Sequence, residues 1–375
     1  MVINTDRMVA EFLEMVRIDS VSGKERDMAD LVKRKLEELG MEPFEDEAGI
    51  KINCSTGNII ARLSGGNGVD GQTILLSAHL DTVEPGRGIN PVIKDGIIRS
   101  SGDTVLGGDD KAGIAIILET LRVIKENNIH HPNLELVFTV FEEGGLLGAK
   151  NINPGVLNSN LGYILDSSGN PGTVITSAPA QDQISVTIKG KSAHSGFCPE
   201  NGINAIEVAA KAIASIQQGR IDHETTVNIG IISGGNATNI VPDSVFVKGE
   251  TRSRNRAKKE FQTQLMEQKF QEVAHTSGAK VDIIVEKLYY EFNLEKNQKV
   301  VQLTVEAAEK AGVELKLEST GGGSDANIFN EIGIPSVALG IGMENVHTTE
   351  EFIRIKDMED CCRFLIEILK RAARE

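Results

Sequence analysis

Short apolar strands alternate with amphipathic helices along the first 178 residues, and this rhythm limits the folds that the chain can adopt. Four stretches are typical of strands, namely NIIARL (58–63), TILLSAHL (73–80), NLELVFTVF (133–141) and LGYILD (161–166). Between the second and the third, DDKAGIAIILETLRVIKE is typical of a long helix whose acidic start suits the helix dipole. Alternating strands and helices predict an α/β domain whose sheet is covered by helices on both faces.

The order of predicted strands and helices changes after residue 178. From QISVTIKGKS to KVDIIVEKLY the order is strand, helix, strand, strand, helix, strand, which is typical of the ferredoxin-like motif. The segments after residue 290 are similar in pattern to the first domain again. We therefore predict a discontinuous α/β domain over 1–178 and 291–375, interrupted by an inserted α+β domain over 179–290.

Charge and cysteine usage exclude several classes of protein. Lys and Arg number 39 against 54 Asp and Glu, which gives a net charge of −15. That balance argues against a nucleic-acid partner, which requires a basic face, and against an anionic membrane surface. The first residues lack the uninterrupted apolar segment of a signal peptide, and no run reaches the length of a membrane helix. Four cysteines without C-x-x-C spacing predict reduced thiols in a cytoplasmic protein.

Polar side chains follow nearly every predicted strand of the α/β domain. In open α/β sheets, ligands bind at the carboxyl ends of the strands. The side chains that reach these ends or the start of the long helix are His79, Asp81, Asp109, Asp110, Glu142, Glu143, Asp166 and His347. Imidazoles and carboxylates that meet at one edge are a suitable donor set for a divalent cation.

Each of these side chains also has an ordinary explanation. A lone histidine is more often a hydrogen-bonded core residue than a ligand, an aspartate before a helix is a common N-cap, and an aspartate before Ser-Ser-Gly suits an Asx-turn. Together the side chains favour a metal site, because it is improbable that each strand end carries such a side chain for a separate, unrelated reason. Without a cation, carboxylates a few ångströms apart repel by several kcal/mol even at an effective dielectric constant of ~20.

The stretches HLDTV, GGDDKAG, EEGGLLGA, LDSSG and VHTTEE resemble, in this order, motifs of the co-catalytic zinc metallopeptidases that include peptidase T, carboxypeptidase G and aminoacylase. KSAHSGFCPENGINAI and GGNATNIVPDSVFVKGETR are similar to segments of that family's lid. GGDDKAG, SSGNPGTVITSAPAQ and TGGGSDAN favour the branch of peptidase T, the tripeptide aminopeptidase. The resemblance implies a mixed sheet sandwiched by helices, an inserted α+β ferredoxin-like lid and dimerisation domain, and a homodimer formed through that domain.

The resemblance also implies two divalent metal ions per subunit and their ligands. His79, Asp109 and Asp166 would hold the first ion, and Asp109, Glu143 and His347 would hold the second. Asp109 would bridge the two ions, while the neighbouring Asp110 would not be a ligand. Nitrogen and oxygen donors without thiolate suit Zn²⁺, with Co²⁺ or Mn²⁺ as alternatives.

Two further carboxylates have catalytic roles by the same resemblance. Glu142 would be the general base, taking a proton from a water molecule that bridges the metals and passing it to the leaving amine. Asp81 would face the second ring nitrogen of His79, which fixes the tautomer of the ligand.

Three residues of the inserted domain match positions associated with substrate. His194 would hydrogen-bond the oxyanion in the active site of the neighbouring subunit, Asn239 would contact the substrate, and Arg252 would bind a carboxylate with its planar fork. Without the resemblance, His194 is better explained as a surface-loop histidine, and the alternative for Arg252 is a solvated charge. The stretch TGGGSDAN (320–327) is either an anion-binding nest or a plain glycine-rich turn.

These inferences lead to one functional hypothesis and two rivals. We expect metal-dependent hydrolysis of amide bonds in small peptides, as in a tripeptide aminopeptidase. An N-acyl amino acid deacylase or related amidohydrolase on the same scaffold would need the same ligands, so the ligands do not distinguish it. The third hypothesis, a non-catalytic metal-dependent binding protein, is disfavoured because all five ligands, Glu142 and Asp81 are present.

Overall fold

The computed structural model describes residues 2–65 and 72–374. In this part of the chain the helices are α1 (Thr5–Val16), α2 (Arg26–Glu38), α3 (Ala48–Ile52), α4 (Gly108–Glu126), α5 (Leu147–Lys150), α6 (Ala205–Ala214), α7 (Arg256–Thr276), α8 (Lys299–Ala311), α9 (Asp325–Glu331) and α10 (Ile355–Ala372). The strands are β1 (Phe44–Glu45), β2 (Ile59–Leu63), β3 (Thr73–His79), β4 (Pro91–Lys94), β5 (Ile97–Ser100), β6 (Asn133–Thr139), β7 (Leu161–Ser168), β8 (Thr173–Ala178), β9 (Ala180–Lys189), β10 (Gly219–Arg220), β11 (Thr225–Gly234), β12 (Ser244–Ser253), β13 (Lys280–Tyr289), β14 (Phe292–Asn293), β15 (Lys316–Ser319), β16 (Ser336–Glu344) and β17 (Phe352–Arg354).

The chain divides into two units. Unit 1 contains the described residues up to Thr176, Leu294–Ser319 and the described residues from Ser324 onward. Unit 2 contains Ser177–Asn293 and Thr320–Gly323. The assignment of Thr320–Gly323 to unit 2 differs from the sequence-based division, which places these residues in the α/β domain. They group with unit 2 because the Thr320 N–H donates to the Ser177 carbonyl at 2.9 Å and a Cβ on Gly323 would lie 2.3 Å from the Tyr289 ring.

Unit 1 is built on a mixed sheet with the strand order β1-β2-β6-β3-β7-β16-β17-β5-β4, and β8 pairs with both β16 and β15. The four central neighbours β6, β3, β7 and β16 are parallel, while β2, β17 and β8 join this core in antiparallel fashion. The predicted α/β fold with a mixed sheet is therefore confirmed.

Continuous burial of the central strands shows that both faces of this sheet are covered. In β3 every side chain from Ile74 to His79 is buried, and in β16 every side chain from Ser336 to Met343 is buried. Successive side chains of a strand point to opposite faces, so such runs occur only where both faces are packed. Helix α4 packs against β3, β7 and β16, and α1 and α10 pack against α4.

Unit 2 contains a five-stranded antiparallel sheet with the order β10-β11-β12-β9-β13. The four long strands occur with α6 and α7 in the predicted order β-α-β-β-α-β, and both helices pack on the sheet. Burial alternates along β9 and β12, because only one face of the sheet meets the helices. The apolar core between them includes Ile184, Val186, Val247, Met266 and Phe270.

No helix among the described residues is both long enough and apolar enough to cross a membrane.

A buried ion pair joins helix and sheet in unit 2. Lys259 Nζ lies 2.6 Å from Asp182 Oδ1, and both side chains are almost completely buried. The Thr263 hydroxyl donates to the other oxygen of Asp182 at 2.9 Å. A buried charge is tolerated only when it is paired and hydrogen-bonded, so this contact fixes α7 against β9.

We predict that Asp182→Ala lowers the free energy of unfolding by about 3–5 kcal/mol, because the Lys259 ammonium stays buried without a counter-charge. The double change Asp182→Leu with Lys259→Met should recover most of that loss, since both charges disappear together. Urea denaturation followed by circular dichroism measures both effects.

The exposed pair Lys189–Asp282, at 2.6 Å, supplies the matched control. Asp282→Ala should leave the free energy of unfolding nearly unchanged, because solvent screens exposed ion pairs. An equal loss in the Asp182 and Asp282 variants would contradict the prediction.

Candidate metal centre

The parallel core of unit 1 brings the candidate ligands to one edge of the sheet. β3 ends at His79, which lies opposite Thr139 at the end of β6. Asp166 lies near the carboxyl end of β7, and His347 follows β16. Asp109 is in the first turn of α4, the helix that packs on β3 and β7. Because these strands are parallel neighbours, their carboxyl ends deliver all of these side chains to the same place.

A first group of donor atoms surrounds the ring of His79. His79 Nε2 lies 3.0 Å from Asp109 Oδ1 and 3.8 Å from Asp166 Oδ1. One donor atom from each of the three residues lies within 4.8 Å of the other two. These distances make a compact site of two carboxylate oxygens and one imidazole nitrogen. His79 is buried within it.

A second group surrounds the ring of His347. His347 Nε2 lies 2.8 Å from Glu143 Oε1 and 3.2 Å from Asp109 Oδ2. These three residues also have donor atoms within 4.8 Å of one another. The imidazole of His347 is about half exposed, unlike that of His79, so this side of the centre opens toward solvent.

Asp109 belongs to both groups, with one oxygen in each. Its Oδ1 faces His79 and its Oδ2 faces His347. A carboxylate shared in this manner has the geometry that a bridging ligand between two cations requires. Asp110 has a different environment, since its Oδ2 accepts the backbone N–H of His79 at 3.2 Å and its Oδ1 accepts that of Gly113.

Electrostatics at this edge reveal a shortage of positive charge. Burial, together with the charge of Asp109, raises the pKa of Asp166 well above its usual value. Burial opposes a charged His79, yet hydrogen bonds to Asp109 and Asp81 raise its pKa well above the ordinary value. Hydrogen bonds to Asp109 and Glu143 raise the pKa of His347 to about 10. Without cations, the carboxyl group of Asp166 and the two histidines therefore favour their protonated forms.

The types of donor atom in the two groups are those that divalent cations prefer, so a pair of such cations would neutralise these carboxylates better than protons do. Both groups consist of imidazole nitrogen and carboxylate oxygen without thiolate, which suits Zn²⁺ and similar cations. A nearby buried atom, Asp325 Oδ1, has no hydrogen-bond partner, which marks a local excess of acceptors.

Asp81 organises the loop that carries the two adjacent glutamates. Its Oδ1 accepts the Glu142 N–H at 2.9 Å, and its Oδ2 accepts the Glu143 N–H at 3.2 Å and the Ser22 hydroxyl at 2.6 Å. Asp81 also faces His79 Nδ1, with its carbonyl oxygen at 3.0 Å and its carboxylate Oδ1 at 3.4 Å. The nearer acceptor for the ring nitrogen is thus the backbone, whereas the carboxylate mainly holds the glutamate loop.

Glu142 is buried beside the first group of donors. Burial, with the charge of Asp166 next in importance, raises its pKa well above the ordinary value of a glutamate. The loop turns sharply around it, with positive φ angles at Phe141 and Gly145. A Cβ on Gly144 would lie 1.9 Å from the Phe141 ring, so a larger residue there would require this ring to move. The loop therefore fixes a carboxyl group that binds a proton readily next to the proposed cation sites.

Three buried carboxylates near this centre escaped the sequence analysis as site residues. Glu25 accepts the N–H groups of Gly23 and Phe141 at 2.9 and 3.0 Å, which ties the N-terminal segment to the Glu142 loop. Asp325 accepts the Thr139 hydroxyl at 2.5 Å at the end of β6. Glu351 accepts three backbone N–H groups from the segment that leads to Asp109.

The sequence signals for these three acids are faint. Glu351 lies within the VHTTEE stretch and Asp325 within TGGGSDAN, but neither motif by itself distinguishes its acid as part of a site. Glu25 follows a Ser-Gly turn and precedes an amphipathic helix, a position that is ordinary for a glutamate.

The three predicted substrate residues belong to unit 2. The segments of His194 and Asn239 are paired, since the Ser195 N–H donates to the Asn239 carbonyl at 3.1 Å. His194 Nδ1 accepts the N–H groups of Gly196 and Phe197 at 3.1 and 3.2 Å. The ring proton must then lie on Nε2, which leaves a donor on an exposed side chain.

Arg252 has a different environment from the other two. Its Nε and Nη2 donate to the two carboxylate oxygens of Glu250 at 2.9 and 3.0 Å. Gln181 donates to the same carboxylate at 2.6 Å, and the Tyr289 hydroxyl lies 3.5 Å from Arg252 Nη1. Arg252 is therefore already paired, and Nη1 is the part of its fork that the carboxylate of Glu250 does not engage.

Comparisons with known proteins agree with this fold. An aminopeptidase PepT from Bacillus cereus has a structure with a TM-score of 0.91 and 42% sequence identity, covering 99% of both chains. A tripeptidase from Staphylococcus aureus matches with a TM-score of 0.95 and 40% identity over 100% of both chains. A peptidase T from Escherichia fergusonii is 23% identical over 99% of this chain and 100% of its own length.

The sequence profile of one protein family matches residues 75–371, a range that includes every candidate ligand in unit 1 and the whole of unit 2 up to Gly323. On this match, and on the similarity in sequence and structure along the entire chain, the protein belongs to peptidase family M20/M25/M40.

Proposed function

We propose that this protein is a two-metal peptidase that removes the N-terminal residue from small peptides, with tripeptides as its main substrates. The observation that carries the proposal is Asp109, whose two oxygens face two separate histidines while the protonatable Glu142 lies beside them. Support for the substrate comes from the aminopeptidase and the tripeptidase that share 42% and 40% identity with this chain.

The proposed ligands follow the two groups of donor atoms. His79, Asp109 and Asp166 hold one cation, and Asp109, Glu143 and His347 hold the other. Zn²⁺ fits a set of imidazole and carboxylate donors, and Co²⁺ or Mn²⁺ would be accepted by the same set. When bound, the two cations polarise the scissile carbonyl group and lower the pKa of the attacking water.

Glu142 is the proposed general base. It takes a proton from the attacking water at its carboxylate and later gives that proton to the leaving amine. A buried carboxyl group whose pKa is raised by burial and by Asp166 holds the proton between these two events. Asp81 positions Glu142 for both transfers, because it accepts the N–H groups of Glu142 and Glu143.

Unit 2 supplies the proposed contacts with substrate and with a second subunit. His194 Nε2–H would donate to the oxyanion in the active site of the partner subunit, Asn239 would contact the peptide, and Arg252 would bind its carboxylate. Support for a homodimer through unit 2 comes from Ile231, Ile232 and Ile284, whose side chains are more than half exposed.

The proposed compartment is the cytoplasm. Its support is that Cys54, Cys198, Cys361 and Cys362 are all free thiols, which is the usual state in a reducing compartment.

The first test of this function is a substrate panel. The metal-loaded protein should cleave Ala-Ala-Ala faster than Ala-Ala, should not cleave N-acetyl-alanine, and should release free N-terminal alanine, measured by chromatography. Chelation should abolish turnover, because unpaired carboxylates cannot activate water, and Zn²⁺, Co²⁺ or Mn²⁺ should restore it. Cleavage of the acylated substrate alone would identify a deacylase instead, and undiminished turnover after chelation would exclude metal-dependent catalysis.

Glu142→Ala should lower kcat by about 10²–10⁴-fold, because the attacking water loses its proton acceptor. Elemental analysis of the variant should still find two metal ions per chain, since all five ligands remain. Glu350→Ala, which removes an exposed acid of the same loop as His347, is the control and should retain activity. Near-normal turnover of the Glu142 variant would show that another group is the base.

His194→Ala should lower kcat by about 10²–10³-fold through loss of an oxyanion donor. Mixing it with the inactive Glu142→Ala variant, under conditions that exchange subunits, should restore about a quarter of wild-type activity, because half of the dimers form mixed and each has one complete site. Turnover that does not increase on mixing, although mass spectrometry detects mixed dimers, would place His194 outside the partner's active site.

A further inference from the structure

Glu351 makes a set of contacts that a surface glutamate would not make. Its side chain is only 2% exposed. Oε2 accepts the N–H groups of Leu106 and Gly107 at 2.7 and 2.8 Å, and Oε1 accepts the N–H of Asp109 at 3.0 Å. One carboxylate thus binds three backbone donors from four consecutive residues.

The segment 106–109 is shaped to receive this carboxylate. Gly107 has a φ angle of +69°, which L side chains rarely adopt. A Cβ on Gly108 would lie 3.0 Å from Glu351 Oε1, so a larger residue there would press on the carboxylate. Leu106 and Gly107 also precede the first turn of α4, where backbone N–H groups lack partners within the helix. Glu351 supplies those partners from a distant part of the chain.

The contacts join two segments that each carry a proposed ligand of the same cation. Asp109 is in the first segment, and His347 lies four residues before Glu351 in the second. His347 Nε2 and Asp109 Oδ2 are 3.2 Å apart. Glu351 is therefore placed to set the separation between these two ligands.

The His347 segment needs such an anchor. His347 and Asn345 have φ angles of +63° and +54°, a conformation that is costly for residues other than glycine. Within the loop, the Thr348 hydroxyl donates to the Asn345 carbonyl at 2.8 Å, and the N–H groups of Glu350 and Glu351 donate to the hydroxyl and the carbonyl of Thr348, both at 3.2 Å. These contacts stay within the loop, whereas the carboxylate of Glu351 joins the loop to the segment 106–109.

We propose that Glu351 is a positioning residue that sets the affinity of the His347 cation site by fixing the Asp109 segment to the His347 loop. The inference rests on the proposed two-metal function. The cation held by His79, Asp109 and Asp166 should depend less on Glu351, because two of its three ligands are on β3 and β7 and only Asp109 is on a segment that Glu351 anchors.

The test compares Glu351→Gln with the wild-type protein in equilibrium dialysis against buffered free Zn²⁺, with metal per chain measured by elemental analysis. The amide keeps the size of the side chain, but its NH₂ group faces backbone N–H donors and cannot accept from them. One of the two wild-type binding steps should lose about 10- to 100-fold in affinity while the other step changes much less. Raising free Zn²⁺ should restore peptide hydrolysis in the variant.

Glu135→Gln is the matched control. Glu135 is equally buried and accepts the Asn158 N–H at 2.9 Å, but it lies near the start of β6, at the opposite end of that strand from the centre. This variant should bind both ions with wild-type affinity even if its melting temperature falls. Gly108→Ala crowds Glu351 Oε1 and should weaken the same metal-binding step as Glu351→Gln. This variant replaces Glu351→Gln in the test if Glu351→Gln does not fold.

The other possible outcomes refute either the positioning role of Glu351 or the proposed function. Unchanged binding of both ions by Glu351→Gln, or equal weakening of both ions in the Glu351 and Glu135 variants, would refute the positioning role. If Glu351→Gln does not fold, unchanged binding by Gly108→Ala would refute it. Failure of the wild-type protein to bind two ions would instead refute the proposed function.

Discussion

Mutual repulsion among carboxylates is the constraint on which the centre of unit 1 depends. Asp109, Glu142, Glu143 and Asp166 converge on one edge of a sheet, and burial there raises the pKa values of Glu142 and Asp166 because a negative charge is costly away from water. Two histidines reduce this repulsion, and both have raised pKa values because carboxylates contact them. Such an arrangement lowers the stability of the protein unless cations enter it, so the fold and the bound metal stabilise each other.

Backbone N–H groups provide a second source of compensation. Asp81, Glu25 and Glu351 are buried acids that accept at least two backbone N–H groups each, and each one holds a loop that carries or adjoins a proposed ligand. A carboxylate satisfied in this way can remain charged in a dry environment and also restrict the backbone. Carboxylates therefore serve as the proposed ligands of the cations and, around them, as the groups that position the ligand-bearing loops.

The sequence predicted the α/β fold and the residues that end its strands, because both are local properties. His79 and Asp166 stand out as polar side chains at the ends of apolar runs, and the alternation of strands and helices restricts the topology. It could not predict that β6, β3, β7 and β16 are neighbours in that order, nor that Glu351 binds a segment more than 240 positions earlier. These features depend on long-range pairing, which leaves no periodic pattern. The pairing of Arg252 with Glu250 is local by contrast, because residues two apart on β12 lie on the same face of the sheet.

The ligands of the proposed centre are divided by the long segment Ser177–Asn293, which belongs to the other unit. A ribosome therefore releases His79, Asp109 and Asp166 before it makes this segment, but His347 and Glu351 only after it. A growing polypeptide can then assemble one half of the proposed centre and not the other. The order of synthesis thus delays hydrolytic capacity until the residues on both sides of the inserted segment have been translated.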